Sequence, residues 1–264
     1  MSEQKSFSPT QIWQTLQEQA RQQAKKEPVL ASFLFTTILN HNSLASALSF
    51  HLANKLGSAT ASAMMIREII EQAISADPSI VEAAYADLNA IDKRDSACCS
   101  LLTPLLFYKG FHALQCYRIA HFLWRHERKS LALLLQNRIS MVFSVDIHPA
   151  ARIGSGIMFD HATGIVIGET AVVEDNVSIM QAVTLGGTGK ESGDRHPKVR
   201  AGVLISAGAK ILGNIEIGAG AKVGAGSVVL KSVAPHTTVA GVPAKVVGCP
   251  TTEAPALEMD HKIS

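Results

Sequence analysis

A six-residue beat constrains this chain more than any other feature. Counting in sixes from Ile147 gives Ile147, Ile153, Phe159, Ile165, Ala171, Val177 and Val183; the count resumes at Val199, Ile205, Ile211, Ile217, Val223 and Val229. A fixed short period is the signature of a solenoid, and a hexapeptide period predicts a parallel β-helix whose beat residues point inward. At three hexads to a coil the run makes a little over four coils, a prism roughly 20 Å tall at the usual ~4.8 Å strand spacing. Gly156, Gly168, Gly202, Gly208, Gly220 and Gly226 each fall three places after a beat residue. Glycine recurring at one phase predicts corners where a β-carbon would clash or φ must be positive.

Upstream of about Ser144 the pattern is helical. Ser8-Pro9-Thr10-Gln11 offers a capping serine, a proline at the first helical position and a glutamine to close a capping box, followed by Ile12, Trp13, Leu16 and Ala20 at helical spacing. Pro28 ends that helix and opens the next. Ser43 caps a helix closed by Gly57, Thr60 precedes an apolar run from Met64 to Ile74, and Asp77-Pro78 repeats the cap-plus-proline signal. A long amphipathic stretch follows Thr103-Pro104, and a last helix covers Leu131 to Phe143. The predicted organisation is α+β: an N-terminal α-helical domain over 1–143, a parallel β-helix over 144–247, and an aperiodic, mobile tail over 248–264.

Composition narrows the class. The chain is 47% hydrophobic and 17% charged, enough to bury a core. A net charge of only +2 gives no reason to propose nucleic acid or an anionic membrane as partner. Cys98, Cys99, Cys116 and Cys249 form no CxxC pair, so neither a disulfide framework nor a zinc site is indicated. The polar N-terminus lacks the apolar core of a signal peptide, and the run from Val29 to Leu39 is broken by Ser32, Thr36 and Thr37. A soluble, cytoplasmic protein is the expectation.

Two histidine-bearing stretches lie within the repeat. His161 stands two places after Phe159, off the inward set, beside Asp160 and not far from Asp146. Histidine is the usual general base near neutral pH, and a carboxylate can fix its tautomer and stabilise its charged form; an exposed histidine without a role is the alternative. The beat breaks once, between Val183 and Val199, ten residues longer than a hexad. Such an insertion maps to a loop leaving the prism. It carries Gly186, Gly187, Thr188, Gly189, Lys190, Arg195 and His196. His196 reads equally well as a pocket residue or a solvated loop residue. The glycine run is not GxxxxGK[ST], so a P-loop is unsupported.

The stretches Asp146-Ile147-His148-Pro149, Asp160-His161-Ala162-Thr163-Gly164, Ile167-Gly168-Glu169-Thr170, Leu185-Gly186-Gly187-Thr188-Gly189-Lys190 and Gly193-Asp194-Arg195-His196-Pro197-Lys198 resemble the serine O-acetyltransferase family, as do Pro235-His236-Thr237-Thr238 and Ala240-Gly241-Val242-Pro243. The helical half is similar too, notably Ser46-Ala47-Leu48-Ser49-Phe50 and Lys109-Gly110-Phe111-His112-Ala113-Leu114-Gln115. The resemblance implies a left-handed parallel β-helix, trimers through that helix, and two trimers joined through the helical domains. It implies acetyl transfer from acetyl-CoA to the hydroxyl of L-serine on the route to cysteine, with L-cysteine competing as inhibitor and no metal required. His161 paired with Asp146 would be the catalytic base. Asp95 and Asp160 would hold the substrate ammonium, Arg195 its carboxylate, and His196 would line the pocket. Gly187, Thr188, Ala207, Lys222 and Ala225 would wall the acetyl-CoA groove. Active sites would lie between neighbouring β-helices. Members of the family also insert a tail ending in isoleucine into O-acetylserine sulfhydrylase; here Ile263 is followed by Ser264, which puts that complex in doubt.

Three rivals stand beside this reading. An acetyltransferase of the same architecture acting on a sugar or antibiotic lacks the long helical half and has no use for Asp95, Asp160 and Arg195 together. A trimeric β-helix metalloenzyme of the γ-carbonic anhydrase type needs three histidines around a zinc-like ion, and the paired-histidine spacing of that class is absent. A purely structural scaffold leaves the acid–histidine clustering unexplained.

Overall fold

The computed structural model describes residues 7–189 and 192–262. Contacts divide the chain into two compact units between Tyr108 and Lys109. The division falls upstream of the change in sequence character at Ser144, so the last two long helices belong to the unit that contains the solenoid.

Among the described residues the first unit holds six α-helices: α1 Pro9–Lys26, α2 Ala31–Leu34, α3 Leu44–Leu56, α4 Ala63–Ala76, α5 Ser79–Arg94 and α6 Leu102–Phe107. The capping box at Ser8 forms: the Ser8 hydroxyl accepts from Gln11 N while the Gln11 side chain accepts from Ser8 N. Pro28 does end α1, but the next helix is irregular, a 3-10 turn over Pro28–Leu30 and a π turn over Phe35–Leu39 flanking α2. Ser43 caps α3, whose end is Gly57. α4 is capped by Ser62, whose Oγ accepts from Met65 N at 3.2 Å. The Asp77 carboxylate accepts from Ser79 N at the start of α5. Ile12, Leu16, Leu34, Ile38, Leu48, Leu52, Ile66, Ile70 and Leu88 are buried. The amphipathic stretch after Pro104 is two helices, since Tyr108 leaves the helical region at ψ 107°.

The second unit opens with α7 Lys109–Arg125 and α8 Lys129–Phe143, then winds into a three-sided parallel β-helix. The first face stacks β1 Val145–Ile147, β4 Ile165–Ile167, β7 Thr184–Gly186, β10 Lys210–Leu212 and β13 Val228–Val229. The second stacks β2 Arg152–Ile153, β5 Val172–Val173, β8 Lys198–Val199 and β11 Glu216–Ile217. The third stacks β3 Met158–Asp160, β6 Ser178–Met180, β9 Leu204–Ile205, β12 Lys222–Val223 and β14 Thr238–Gly241, with β15 Ala244–Gly248 added antiparallel at the end. Among the described residues no helix is long and apolar enough to cross a membrane.

The register corrects the sequence reading in two ways. Five coils are present where a little over four were expected, because Val233 and Val239 continue the stack against Ile217 and Val223 after a shortened step. The ten surplus residues are also not in one place. Ile147 pairs with Ile167, twenty residues on, whereas Ile167 pairs with Leu185, eighteen on. Val173 pairs with Val199, twenty-six on, and Val199 with Ile217, eighteen on. Two extra residues thus enter between Phe159 and Ile167, and eight between Leu185 and Val199. The beat runs unbroken through the first excess because two positions per rung are buried: Ile165 and Ile167, Ala171 and Val173, and Val177 and Ile179 are all at most 1% exposed.

The tail was expected to be mobile because it has no periodicity. Over the described residues it runs along the third face and adds a short helix, α9 Pro255–Glu258. Ser178 Oγ donates to Ala256 O at 2.9 Å, Ala256 N to Gly202 O, and the Lys222 ammonium to Lys262 O. Ser206 Oγ and His261 Nδ1 are 3.1 Å apart. Ile263 and Ser264, on which the sulfhydrylase expectation rests, lie outside the described residues, as does Lys190.

Candidate active site

The two surpluses put the two histidine motifs on different edges of the prism. Between the third and first faces, the chain turns at His161–Gly164. His161, Ala162 and Gly164 all have positive φ, 54°, 62° and 75°, a conformation that non-glycine residues adopt at a cost unless their surroundings hold it. Here α7 holds it from below. A β-carbon on Gly110 would stand 2.3 Å from Phe159 O, so helix and strand meet backbone to backbone, and the Lys109 ammonium donates to Thr163 Oγ1. The turn lifts the His161 ring into solvent: its side chain is 72% exposed, with Nε2 3.9 Å from the Asp160 carboxylate.

Higher coils turn at the same edge through Gln181–Ala182, Ala207–Gly208 and Ala225–Gly226. The backbone bonds Ala182 N to Thr163 O, Gly208 N to Gln181 O and Gly226 N to Ala207 O stitch these turns into a column. Ala207 and Ala225, expected to wall the acetyl-CoA groove, thus stand on the His161 edge, Ala225 three rungs or roughly 14 Å above it. Small residues leave that column shallow. Lys222, also expected there, is buried with its ammonium engaged by the tail.

Between the first and second faces lies the other edge. The twenty-six-residue third coil places Arg195 above Glu169 and His196 above Thr170. Arg195 gives one nitrogen to the Glu169 carboxylate at 2.6 Å and another to Gly193 O at 3.0 Å. That pairing holds the Glu169 carboxyl below its ordinary range. His196 is only 7% exposed, so it is not a solvated loop residue. Burial first, and the Arg195 charge second, push its pKa down and keep the ring neutral. Lys198 braces the loop from outside, donating to Asp194 Oδ1, His196 O and Thr170 O. Gly187, at the loop's start, lies against the same ring, and Thr188 beside it is exposed.

One coil below Glu169 on this edge, and two below His196, His148 packs edge-on against Trp124, centroids 5.0 Å apart, and its Nδ1 accepts from Ala150 N. Burial lowers its pKa, with Glu169 and Asp146 opposing. Asp146, expected to pair with His161, has its Oδ1 bonded to the Gln136 amide at 2.7 Å. Asp95 ends α5 in the first unit, its carboxylate accepting from Ala97 N at 2.8 Å. A cavity of about 480 Å³ on the second face, lined by His121, Arg152, Glu174 and Asp175 among others, includes neither His161 nor His196.

Sequence reasoning assigned no role to Glu169, Thr170 or His148. The signal existed in the register: with eight residues assigned to the loop, positions 169 and 170 fall under 195 and 196. Counting all ten as one insertion hid that alignment. The assembled chemistry is an exposed imidazole beside a carboxylate on one edge, and a buried neutral imidazole beside a guanidinium on the other. The first suits proton abstraction, the second recognition of a small anionic group.

The chain is similar to known proteins over nearly its whole length. A family model described as "Serine acetyltransferase, N-terminal" matches residues 12–116, and one described as "Bacterial transferase hexapeptide (six repeats)" matches residues 196–231. A serine acetyltransferase of Salmonella typhimurium is 60% identical over 250 residues, covering 95% of this chain and 92% of its own length. The crystal structure of a Vibrio cholerae serine acetyltransferase superposes with a TM-score of 0.96 at 63% identity, covering 97% of this chain and 99% of that one. A serine acetyltransferase complexed with cysteine gives 0.95 at 58% identity, with 97% and 99% covered. Other similar solved structures are a soybean enzyme complexed with serine, at 59% identity and TM-score 0.88 over 89% of this chain and 97% of that one, and a serine acetyltransferase complexed with CoA, at 58% and 0.88 over 91% and 100%.

Proposed function

Because the chain belongs to the serine acetyltransferase family, we propose that its two histidine-bearing edges form the two halves of one acetyl-transfer site. The enzyme transfers the acetyl group of acetyl-CoA to the hydroxyl of L-serine, giving O-acetyl-L-serine and CoA, with feedback inhibition by L-cysteine. Its scaffold is the left-handed parallel β-helix behind an N-terminal helical region.

His161 takes the proton of the serine hydroxyl as that oxygen attacks the thioester carbonyl. The imidazolium then returns a proton to the departing thiolate, so the base is regenerated in each turnover. Its exposed, carboxylate-flanked ring is the observation that carries this assignment. A positioned base supplies typically ~10²–10⁴-fold; orientation and stabilisation of the tetrahedral oxyanion supply the rest. Asp146 steadies the imidazolium, Asp160 and Asp95 take the substrate ammonium, and Arg195 with His196 takes its carboxylate. Acetyl-CoA runs up the His161 edge past Ala207 and Ala225, with Gly187, Thr188 and Lys222 bordering it.

His161 and His196 stand at opposite ends of the first face, so one chain does not bring them together. A site using both combines the His161 edge of one copy with the His196 edge of a neighbour, which supports a trimer built on the β-helix. A dimer of such trimers through the helical units extends it. Cysteines that form no disulfide among the described residues fit a reducing compartment, and we place the enzyme in the cytoplasm.

The decisive experiment is thiol release from acetyl-CoA in the presence of L-serine, a galactoside or chloramphenicol. Turnover with serine alone is expected; a preference for either other acceptor overturns the reading. Calorimetry is expected to show L-cysteine displacing serine. Sedimentation is expected to show trimers or hexamers, and a fully active monomer would exclude the shared site.

A further inference from the structure

The mechanism leaves Thr170 without a part, yet both its hydroxyl and its amide bond the loop. Its Oγ1 accepts from Arg195 N at 3.0 Å and from His196 N at 3.1 Å. Two accepted bonds fill the hydroxyl's lone pairs. Its own hydrogen is turned toward His196 Nδ1, 2.9 Å away, with the Asp194 carboxylate as competing acceptor. The backbone settles which way the ring is protonated. Thr170 N–H donates to His196 Nδ1 at 3.2 Å, and a backbone amide is only ever a donor. Nδ1 must then carry a lone pair, which puts the ring's hydrogen on Nε2. Among the described residues Nε2 has no hydrogen-bond partner, and it lies over the bare backbone of Gly168 and Gly187.

From this geometry we propose that Thr170 is a positioning residue for acetyl transfer: it clasps the Arg195–His196 pair and holds His196 as the Nε2–H tautomer, so that the ring meets substrate as a hydrogen-bond donor. The inference rests on the reading of His196 as a pocket residue. A neutral donor and a guanidinium side by side recognise a carboxylate without a second full charge to desolvate. The register explains why one residue does this work. The loop leaves and rejoins the prism directly above Thr170, so its hydroxyl and amide face the two loop residues that must not move. Burial and the neighbouring Arg195 charge both lower the ring's pKa, in keeping with a ring that stays neutral.

The test uses the full-length protein labelled with 15N-histidine, the His196 signal being assigned by its loss in His196→Gln. In the free wild type the His196 nitrogens are expected to report the Nε2–H tautomer at neutral pH. Thr170→Ser keeps the hydroxyl and is expected to retain that tautomer and serine kinetics within about threefold. Thr170→Val keeps the shape and the backbone amide but strands two loop amides; about a tenfold rise in KM for serine is expected, with KM for acetyl-CoA unmoved and the Nε2–H tautomer retained by the backbone bond. An Nδ1–H or protonated His196 in the wild type overturns the proposal, as does a folded Thr170→Val with unchanged serine KM. If that variant fails to fold, the wild-type spectrum decides alone. If the wild type does not acetylate serine, the functional reading fails while the spectrum still reports the tautomer of His196.

Discussion

A β-carbon on Gly168 would fall 2.0 Å from both Nε2 and Cδ2 of His196. The five other corner glycines of its phase have positive φ, from 62° to 74°, and are explained by backbone conformation. Gly168 does not, and is bare because a ring from the next coil occupies the place of its side chain. Gly168→Ala should displace His196 at a strain cost of about 1–3 kcal/mol. Serine KM should rise well beyond what the lowered melting temperature accounts for. Steady-state kinetics run beside thermal unfolding check this; an unchanged KM would show that the ring tolerates being pushed aside.

His161→Ala should cut turnover by about 10²–10⁴-fold and leave the melting temperature nearly unchanged, because the side chain it removes is 72% exposed. Thiol release and circular dichroism measured on one preparation separate the two effects. Turnover near that of the wild type would remove His161 from the mechanism.

Ala225→Phe should obstruct the shallow column above His161. Since Ala225 is exposed, folding should be unaffected. KM for acetyl-CoA should rise by about tenfold, equivalent to some 1.4 kcal/mol of binding, while KM for serine holds. Equal rises in both constants would place the acetyl-CoA groove elsewhere.

Acid should weaken the first unit through His51. This buried ring donates from Nε2 to Leu106 O at 3.1 Å. Burial, then the charge of Lys55, lowers its pKa from 6.5 to about 4. Below about 6.5 the unfolded chain takes up a proton that the folded chain refuses until about pH 4. The contribution is therefore complete above 6.5 and lost progressively as pH falls toward 4, amounting to about 3 kcal/mol. Urea unfolding at pH 7.5, 6 and 5 should show the loss, and His51→Gln should flatten it. Part of the slope should persist in that variant, because His121, His148 and His196 are shifted in the same direction. Identical slopes in both proteins would discount His51.

The solenoid and the helical first half were legible because inward β-branched residues every six places, and a serine with a glutamine three residues on, are local signals. Ser8 and Ser43 cap as read. The cap of α4 was not legible, because Thr60 and Ser62 both stand before the apolar run and only geometry separates them. The His161 excess was illegible for a different reason: Ile165 and Ile167 both face inward, so the hydrophobic count runs straight over an extra pair. The partners of Arg195 and His196 needed the coil length, which pairing reveals and residue type does not. That Asp146 bonds Gln136 follows from how α8 packs on β1, a contact with no sequence signature.

Both excesses are taken up at corners, and the strands on either side stay in register. The prism therefore works like a column of identical courses with brackets let into its edges. A bracket can be lengthened, shortened or replaced while every course above it stays level, so the part of the chain that bears load and the part that selects the substrate can change independently.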